Sequence, residues 1–103
     1  MGYKIKFPTP RLEKYFDKFL QKQISRQNTR DEILGTIKDL ENNPRPFSNK
    51  NFTQIKPPIL ISYYQAQYRL RIENYRVLYN VDDKQKTIWL LDIRLRSEKT
   101  YKH

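Results

Sequence analysis

The stretch Tyr68-Arg-Leu-Arg-Ile-Glu-Asn-Tyr-Arg-Val-Leu-Tyr79 decides which fold we expect for this chain. It contains two alternating runs separated by Glu73-Asn74. This pattern predicts a β-hairpin with a two-residue turn in which Asn74 takes the left-handed conformation. The register that follows pairs Ile72 with Tyr75, Arg71 with Arg76, Leu70 with Val77, Arg69 with Leu78 and Tyr68 with Tyr79.

Side chains alternate between the two faces of a strand, so this hairpin has one apolar face and one basic face. The apolar face carries Tyr68, Leu70, Ile72, Tyr75, Val77 and Tyr79. The basic face carries Arg69, Arg71 and Arg76. Like charges directly opposite each other destabilise a sheet, so we interpret this cluster as a binding site for a polyanion.

Length and composition predict one domain spanning residues 1–103, because 37% hydrophobic and 14% aromatic residues are enough for one modest core. The sequence contains no apolar run long enough to cross a membrane and no secretory signal pattern. It has no cysteine and a single histidine, so neither thiolate nor histidine metal sites are expected. We therefore expect a cytoplasmic protein without metal or other cofactor.

The formal net charge of +10 is the strongest global signal. A field of this strength attracts nucleic acid, an anionic membrane or an acidic protein. Charge alone does not choose among these three classes of partner.

Two amphipathic helices are predicted before the hairpin. Tyr3–Phe7 alternates like a short strand, and Thr9 then caps a helix that has Pro10 at its first position. Its apolar stripe is Leu12, Tyr15, Phe16, Phe19, Leu20 and Ile24. Thr29–Glu32 has the capping-box pattern of a second helix, which Asn42–Pro44 ends. The residues predicted to be buried in it are Ile33, Leu34, Ile37 and Leu40.

The remaining segments complete an α+β architecture. Pro44–Pro58 holds four of the six prolines and is predicted to be a surface loop, followed by an extended piece at Ile59–Tyr63. Thr87–Arg94 is predicted to be a central strand, because Ile88–Leu91 is continuously apolar. We expect an N-terminal strand, a two-helix hairpin, and a three- to four-stranded antiparallel sheet with the helices packed on one face. The arginine face is then left open.

Several of these pieces together resemble the RelE/ParE superfamily of bacterial type II toxins. They are the Tyr3–Phe7 strand, the helix pair, the Tyr68–Tyr79 block, and the strand Ile88–Ile93. The tail Arg94-Leu-Arg-Ser-Glu-Lys-Thr-Tyr101 resembles the family's C-terminal pattern, a basic residue followed by a tyrosine near the end of the chain. The resemblance extends over nearly the whole chain.

This resemblance implies a toxin that a cognate antitoxin, often acidic, neutralises. RelE-like members are ribosome-dependent endoribonucleases that cut mRNA, whereas ParE-like members inhibit DNA gyrase. The RelE-like activity is our leading hypothesis, with the ribosome and mRNA as partners. The alternatives are a gyrase inhibitor and a catalytically degenerate member that binds only RNA or an antitoxin.

The resemblance also implies roles for individual residues. The catalytic candidates are Arg76, Arg96 and Tyr101. The candidates for binding RNA phosphate are Arg69, Arg71, Arg94 and Lys99. Arg94 is also the alternative to Arg96 as the basic residue at the exit of the last strand. The basic side of the first helix offers a second contact to ribosomal RNA or antitoxin, or else a solvated face; its residues are Arg11, Lys14, Lys18, Lys22 and Arg26.

Two departures from the family pattern concern the chemistry. The strand carries Arg69 and Arg71 where relatives usually have lysines, and Leu95 stands where many relatives have a histidine. Guanidinium groups suit phosphate binding but are poor general bases at neutral pH, since their pKa lies above about 12. The candidates for the general base are therefore Tyr101, Lys99, His103 and a ribosomal group.

Overall fold

The computed structural model describes residues 2–96, which form two helices and five strands. In chain order these are β1 (Lys4–Lys6), α1 (Pro10–Gln23), α2 (Gln27–Asp39), β2 (Phe52–Ile61), β3 (Tyr64–Ile72), β4 (Tyr75–Asp82) and β5 (Thr87–Leu95). The sheet order is β1-β5-β4-β3-β2. All neighbours are antiparallel except β1, which runs parallel to β5. The predicted α+β order is confirmed.

The β3–β4 hairpin has the predicted register at all five predicted pairs, from Ile72 opposite Tyr75 to Tyr68 opposite Tyr79. The turn differs in one detail, because the left-handed residue is Glu73, with φ 53°, and not Asn74. Thr29 in α2 donates a hydrogen bond of 3.1 Å to Glu73 Oε1. This contact ties the turn to α2.

Helix α1 begins as the sequence predicts. Thr9 is the N-cap with extended backbone, and Pro10 occupies the first turn. The Thr9 hydroxyl accepts a hydrogen bond of 3.1 Å from the backbone N–H of Leu12. The cap satisfies one of the amide groups that a helix leaves without an intrahelical partner at its N-terminus.

We expect Thr9→Ala to lower the free energy of unfolding by about 1 kcal/mol, the usual cost of losing a hydroxyl cap. Thr9→Ser keeps the hydroxyl and should stay close to wild type. Thermal unfolding followed by circular dichroism measures both variants. Equal destabilisation by the two substitutions would show that the threonine methyl group, and not the cap, is responsible.

Helix α2 begins earlier than predicted, and the capping-box interpretation is wrong. The N-cap is Arg26, which makes no side-chain capping bond, and Gln27 is the first helical residue. Thr29 is instead a buried residue in the first turn of α2, and its hydroxyl donates a hydrogen bond to Glu73. The tertiary contact between helix and hairpin therefore prevails over the local capping pattern.

The segment predicted to be a loop, Pro44–Pro58, is half strand. β2 begins at Phe52 and pairs with β3, with a register shift between Gln54 and Ile59. Pro57 and Pro58 lie within that irregular part of an edge strand, a place where proline is tolerated because its missing N–H breaks no ladder. The real connection is shorter, and β2 turns into β3 at Ser62 and Tyr63.

The main core lies between the two helices and the apolar face of the sheet. Its buried helical members are Phe16, Phe19, Leu20, Ile24, Ile33, Ile37 and Leu40. Its buried sheet members are Phe52, Tyr68, Leu70, Ile72, Val77, Tyr79, Val81, Ile88, Leu90 and Ile93. Two predicted core residues are wrong, since Leu34 is 49% exposed and Tyr15 is 44% exposed. The Tyr15 hydroxyl donates to the Ile93 carbonyl, which holds this half-exposed ring against β5.

The opposite face of the sheet is not uniformly open. Ala66, Leu78 and Leu91 are buried in a second, smaller apolar cluster. The residues packed against them are Leu12, Ile55, Ile59, Ile61, Tyr64 and Trp89. The arginines consequently occupy only the end of this face next to the β3–β4 turn. Within residues 2–96, no helix is long and apolar enough to cross a membrane.

Candidate phosphate-binding site

Three arginines stand in one row across the neighbouring strands β3, β4 and β5, at the end of the sheet next to the β3–β4 turn. Arg71 in β3 pairs with Arg76 in β4, and Arg76 pairs on its other side with Arg94 in β5. Neighbouring strands are about 4.8 Å apart, so the row brings three permanent positive charges onto a short line. We call these three residues the arginine row. They lie on the face opposite the helices, because the residues next to them in sequence, such as Leu70 and Val77, belong to the main core.

A β-bulge in β5 places Arg94 in this row. Leu78 pairs with Asp92 whereas Tyr79 pairs with Leu90, so Leu91 is the extra residue. Without an extra residue, strict alternation from Leu90 would turn residue 94 towards the main core. The bulge reverses the alternation and turns both Asp92 and Arg94 to the arginine face.

The members of the row differ in their surroundings. Arg71 is exposed, and its Nη2 donates a hydrogen bond of 3.1 Å to Asn51 Oδ1 in the segment before β2. Arg76 and Arg94 are half-buried. Arg69 lies two residues from Arg71 on the same face of β3, opposite Leu78, and so flanks the row without belonging to it.

Asp92 is a functional candidate that is not among the site residues predicted from the sequence. Its carboxylate is buried and forms an ion pair with the Nε of Arg94. The spacing Asp-x-Arg within a predicted strand was the available signal. It could not be used, because the bulge that turns this pair away from the helices leaves no mark in the sequence pattern.

The remaining predicted site residues lie at or beyond the end of β5. Arg96 follows the strand, is exposed, and its backbone N–H donates a hydrogen bond of 2.7 Å to the Asn74 carbonyl in the hairpin turn. This bond brings the chain at Arg96 beside the β3–β4 turn, at the same end of the sheet as the arginine row. Lys99 and Tyr101 lie outside the described residues, as does His103.

The C-terminal half of α1 brings part of its basic side near the same end of β5. The predicted residues of this basic side are all exposed, but only Arg11, Lys14, Lys18 and Lys22 lie in α1, because Arg26 is the N-cap of α2. A cleft of about 260 Å³ separates α1 from β5, with Lys18 and Lys22 on one wall and Leu95 on the other. This side of the molecule therefore adds positive charge near the exit of β5.

A larger groove, of about 660 Å³, lies at the other end of β4 and β5. Tyr64 and Trp89 contribute aromatic surface to it, and Asp82 and Asp83 contribute carboxylates. Carboxylates repel a polyanion, so we do not place phosphate binding there.

An ion-pair network fixes the connection between α2 and β2. The guanidinium of Arg45 donates to both carboxylate oxygens of Asp83, at 3.1 and 2.9 Å, and to the Tyr68 hydroxyl at 2.7 Å. The Tyr3 hydroxyl donates a hydrogen bond of 2.6 Å to Asp83 Oδ1. The hydrogen bonds from Arg45 and Tyr3 lower the pKa of Asp83 to about 2, and the bond to Asp83 raises the pKa of Tyr3.

This network predicts a specific acid dependence of stability. The pKa of Asp83 is lower in the folded protein, about 2, than its ordinary value of 3.8. The Asp83 carboxylate therefore contributes fully to the free energy of unfolding when the pH is above its ordinary pKa of 3.8. This contribution is lost as the pH falls through its pKa in the folded protein, about 2. We expect the melting temperature of Asp83→Asn to fall less steeply than that of wild type over this range. Parallel pH profiles of the two proteins would contradict a stabilising role for the Asp83 carboxylate.

Comparisons with known proteins place this geometry in context. A family model described as the ParE toxin of type II toxin–antitoxin system, parDE, matches residues 11–100. No curated protein sequence matches the chain. Among solved structures, RelE in the archaeal RelE–RelB complex from Pyrococcus horikoshii is similar, with a TM-score of 0.66 and 24% identity over 95% of this chain and 99% of that one.

Two bacterial structures have the same fold. The toxin–antitoxin complex RelBE2 from Mycobacterium tuberculosis gives a TM-score of 0.60 at 18% identity, covering 93% of this chain and 100% of that one. A mutant of the E. coli toxin RelE in the free state gives 0.55 at 18% identity, covering 94% and 86%. At these identities the likeness shows the fold, while the family model shows the family.

Proposed function

Because the chain belongs to the ParE toxin family of type II toxin–antitoxin systems, within the RelE/ParE superfamily, we propose that it is a ribosome-dependent endoribonuclease that cuts translated mRNA. The observation that carries this proposal is the arginine row, in which Arg71, Arg76 and Arg94 are paired in register on the face away from the helices. Like charges directly opposite one another destabilise a sheet, and a bound phosphate group would reduce the repulsion that the Asp92 carboxylate offsets in part at Arg94.

The proposed reaction is attack of a ribose 2′-hydroxyl on the adjacent phosphate. A bond forms between the 2′-oxygen and phosphorus, and the bond from phosphorus to the 5′-oxygen breaks. A general base takes the 2′-hydroxyl proton, and the departing 5′-oxygen takes up a proton. The products are a 2′,3′-cyclic phosphate and a 5′-hydroxyl end. Negative charge builds on the phosphoryl oxygens, where preorganised guanidinium groups are most effective.

The residues divide between charge stabilisation and proton transfer. Arg76 is the centre of the row and is assigned to the phosphoryl group that reacts, while Arg71, Arg94 and the flanking Arg69 hold the RNA backbone. Arg96 is assigned to the departing oxygen, since its backbone bond to Asn74 brings it to the same end of the sheet. The proton acceptor is sought in the tail, at Lys99, Tyr101 or His103, or on the ribosome, because the arginines of the row cannot supply it.

We also propose an acidic antitoxin as partner. The solved structures from P. horikoshii and M. tuberculosis are toxin–antitoxin complexes. The formal charge of +10 on this chain favours association with an acidic protein through electrostatic attraction. Expression of the chain should stop bacterial growth, and an acidic protein encoded beside it should restore growth when the two are produced together.

A second candidate function is inhibition of DNA gyrase, because the matching family model is described by its ParE member. Two parallel assays distinguish the candidates. In a translation reaction with a defined mRNA, the endoribonuclease creates new 5′ ends at the ribosomal A site and leaves the same mRNA intact without ribosomes. In a supercoiling assay, a gyrase inhibitor blocks the enzyme while mRNA stays intact. Binding without either effect would identify a degenerate member of the family.

A further inference from the structure

Asp92 is an unexpected residue on the most basic surface of the molecule. It lies in β5 opposite Leu78, and only 5% of it is exposed, although the chain carries a net charge of +10. Burying a carboxylate is costly unless it is paired and hydrogen-bonded. The contacts of Asp92 show how that cost is offset.

Both oxygens of the Asp92 carboxylate are engaged. Oδ1 accepts a hydrogen bond of 2.9 Å from the backbone N–H of Ile93, and Oδ2 is ion-paired with Nε of Arg94. A carboxylate held by the backbone on one side and by a guanidinium on the other is a poor acceptor for a substrate proton. Its position suits the orientation of Arg94 better than it suits base catalysis.

Fixing Nε fixes the whole guanidinium, because the group is planar and presents its donors as a rigid fork. Arg94 stands directly opposite Arg76, and like charges at this distance repel each other. An arginine side chain has considerable rotamer freedom, and repulsion from Arg76 favours rotamers that move the Arg94 guanidinium away from it. The carboxylate of Asp92 opposes that movement.

We propose that Asp92 is a positioning residue, which holds the Arg94 guanidinium in the arginine row so that an RNA phosphate meets donors that are already oriented. The β-bulge at Leu91 is part of the same device, since it turns Asp92 and Arg94 to one face together. The identity of the anion as RNA rests on the proposed function, whereas the action of Asp92 on Arg94 does not.

The test is binding of a fluorescein-labelled 2′-O-methyl oligoribonucleotide, which cannot be cleaved, measured by fluorescence anisotropy at fixed salt. Asp92→Asn is compared with Asp83→Asn. Each variant removes a carboxylate that is paired with an arginine, and each raises the net charge by one. Asp83 directly follows β4, at the end of that strand away from the arginine row. The two variants therefore have the same net charge but remove a carboxylate from different parts of the structure.

Long-range electrostatics alone would make both variants bind RNA more tightly. Positioning instead predicts that Asp92→Asn binds the oligonucleotide about tenfold more weakly than wild type. This is the size of effect seen when a residue that orients a binding group, such as a metal ligand, is removed. Asp83→Asn should bind at least as tightly as wild type. Binding by Asp92→Asn that equals or exceeds that of Asp83→Asn overturns the proposal.

A double-mutant cycle separates positioning from a general structural role. If Asp92 acts through Arg94, then Asp92→Asn has no further effect on binding in an Arg94→Ala background. Additive weakening contradicts the proposal, and so does a failure of wild type to bind the oligonucleotide. If the wild-type chain does not cleave mRNA but the double-mutant cycle still shows that Asp92 acts through Arg94, the endoribonuclease proposal is rejected and the positioning role of Asp92 stands.

A measurement on the wild-type chain covers the case in which Asp92→Asn does not fold. The Nε–H resonance of Arg94, identified by its absence in Arg94→Lys, should be protected from exchange and should shift when the oligonucleotide is added. A resonance that exchanges rapidly, or that does not respond to the oligonucleotide, is incompatible with a guanidinium held for phosphate binding.

Discussion

Arg76→Ala is expected to lower the rate of mRNA cleavage on the ribosome by about 10²–10³-fold, the typical effect of removing one preorganised donor to developing negative charge. The effect is expected to be large because Arg76 stands between Arg71 and Arg94, and each of these is its direct neighbour across a strand. Single-turnover cleavage of a defined mRNA in stalled ribosomal complexes measures the rate. A rate constant is required because slower binding alone can be overcome with excess protein.

Lys38→Ala is the matched control for this loss of charge. Lys38 is on α2, away from the arginine face, and pairs at the surface with Glu41. Its removal lowers the net charge by the same amount but should leave the cleavage rate constant near that of wild type. If both variants lost activity equally, overall charge and not the arginine row would be responsible.

Ile33→Ala is expected to lower the free energy of unfolding by about 2–5 kcal/mol, the usual cost of truncating a fully buried aliphatic side chain. Ile33 has no exposed surface and lies in the main core between α2 and the sheet. A loss of this size is a large part of the stability of a small domain. Chemical denaturation followed by circular dichroism measures it.

The neighbouring residue supplies the control. Leu34 is also aliphatic and in the same helix, but it is 49% exposed, so Leu34→Ala should change stability by no more than about 0.5 kcal/mol. Comparable losses at both positions would mean that α2 is rotated about its axis relative to the arrangement described above.

Local rules were sufficient where one short stretch carried all the information. The Tyr68–Tyr79 block predicted its own register and both of its faces, because alternation and a two-residue turn leave few choices. Thr9 and Pro10 likewise predicted the start of α1. In these places, tertiary contacts agree with the local preference.

Sequence patterns failed where a distant contact or an irregular strand was decisive. Thr29 matches a capping-box pattern, but its hydroxyl donates a hydrogen bond to Glu73, which is far away in sequence. Prolines suggested a loop across a segment that β3 holds as an edge strand from Phe52 onwards. The extra residue at Leu91 reverses the alternation of β5, and without it neither the third member of the arginine row nor Asp92 could be assigned to a face.

The most direct test of the arginine row as the site of RNA cleavage is to identify the ends of the mRNA fragments produced in ribosomal complexes. The test compares an all-ribose mRNA with one that carries a single 2′-deoxy nucleotide at the cleaved position. We predict 2′,3′-cyclic phosphate and 5′-hydroxyl ends from the first mRNA, strong reduction of these ends with Arg76→Ala, and no cleavage of the second at that position. Cleavage of the 2′-deoxy mRNA at the same place, or an intact all-ribose mRNA, would contradict the account.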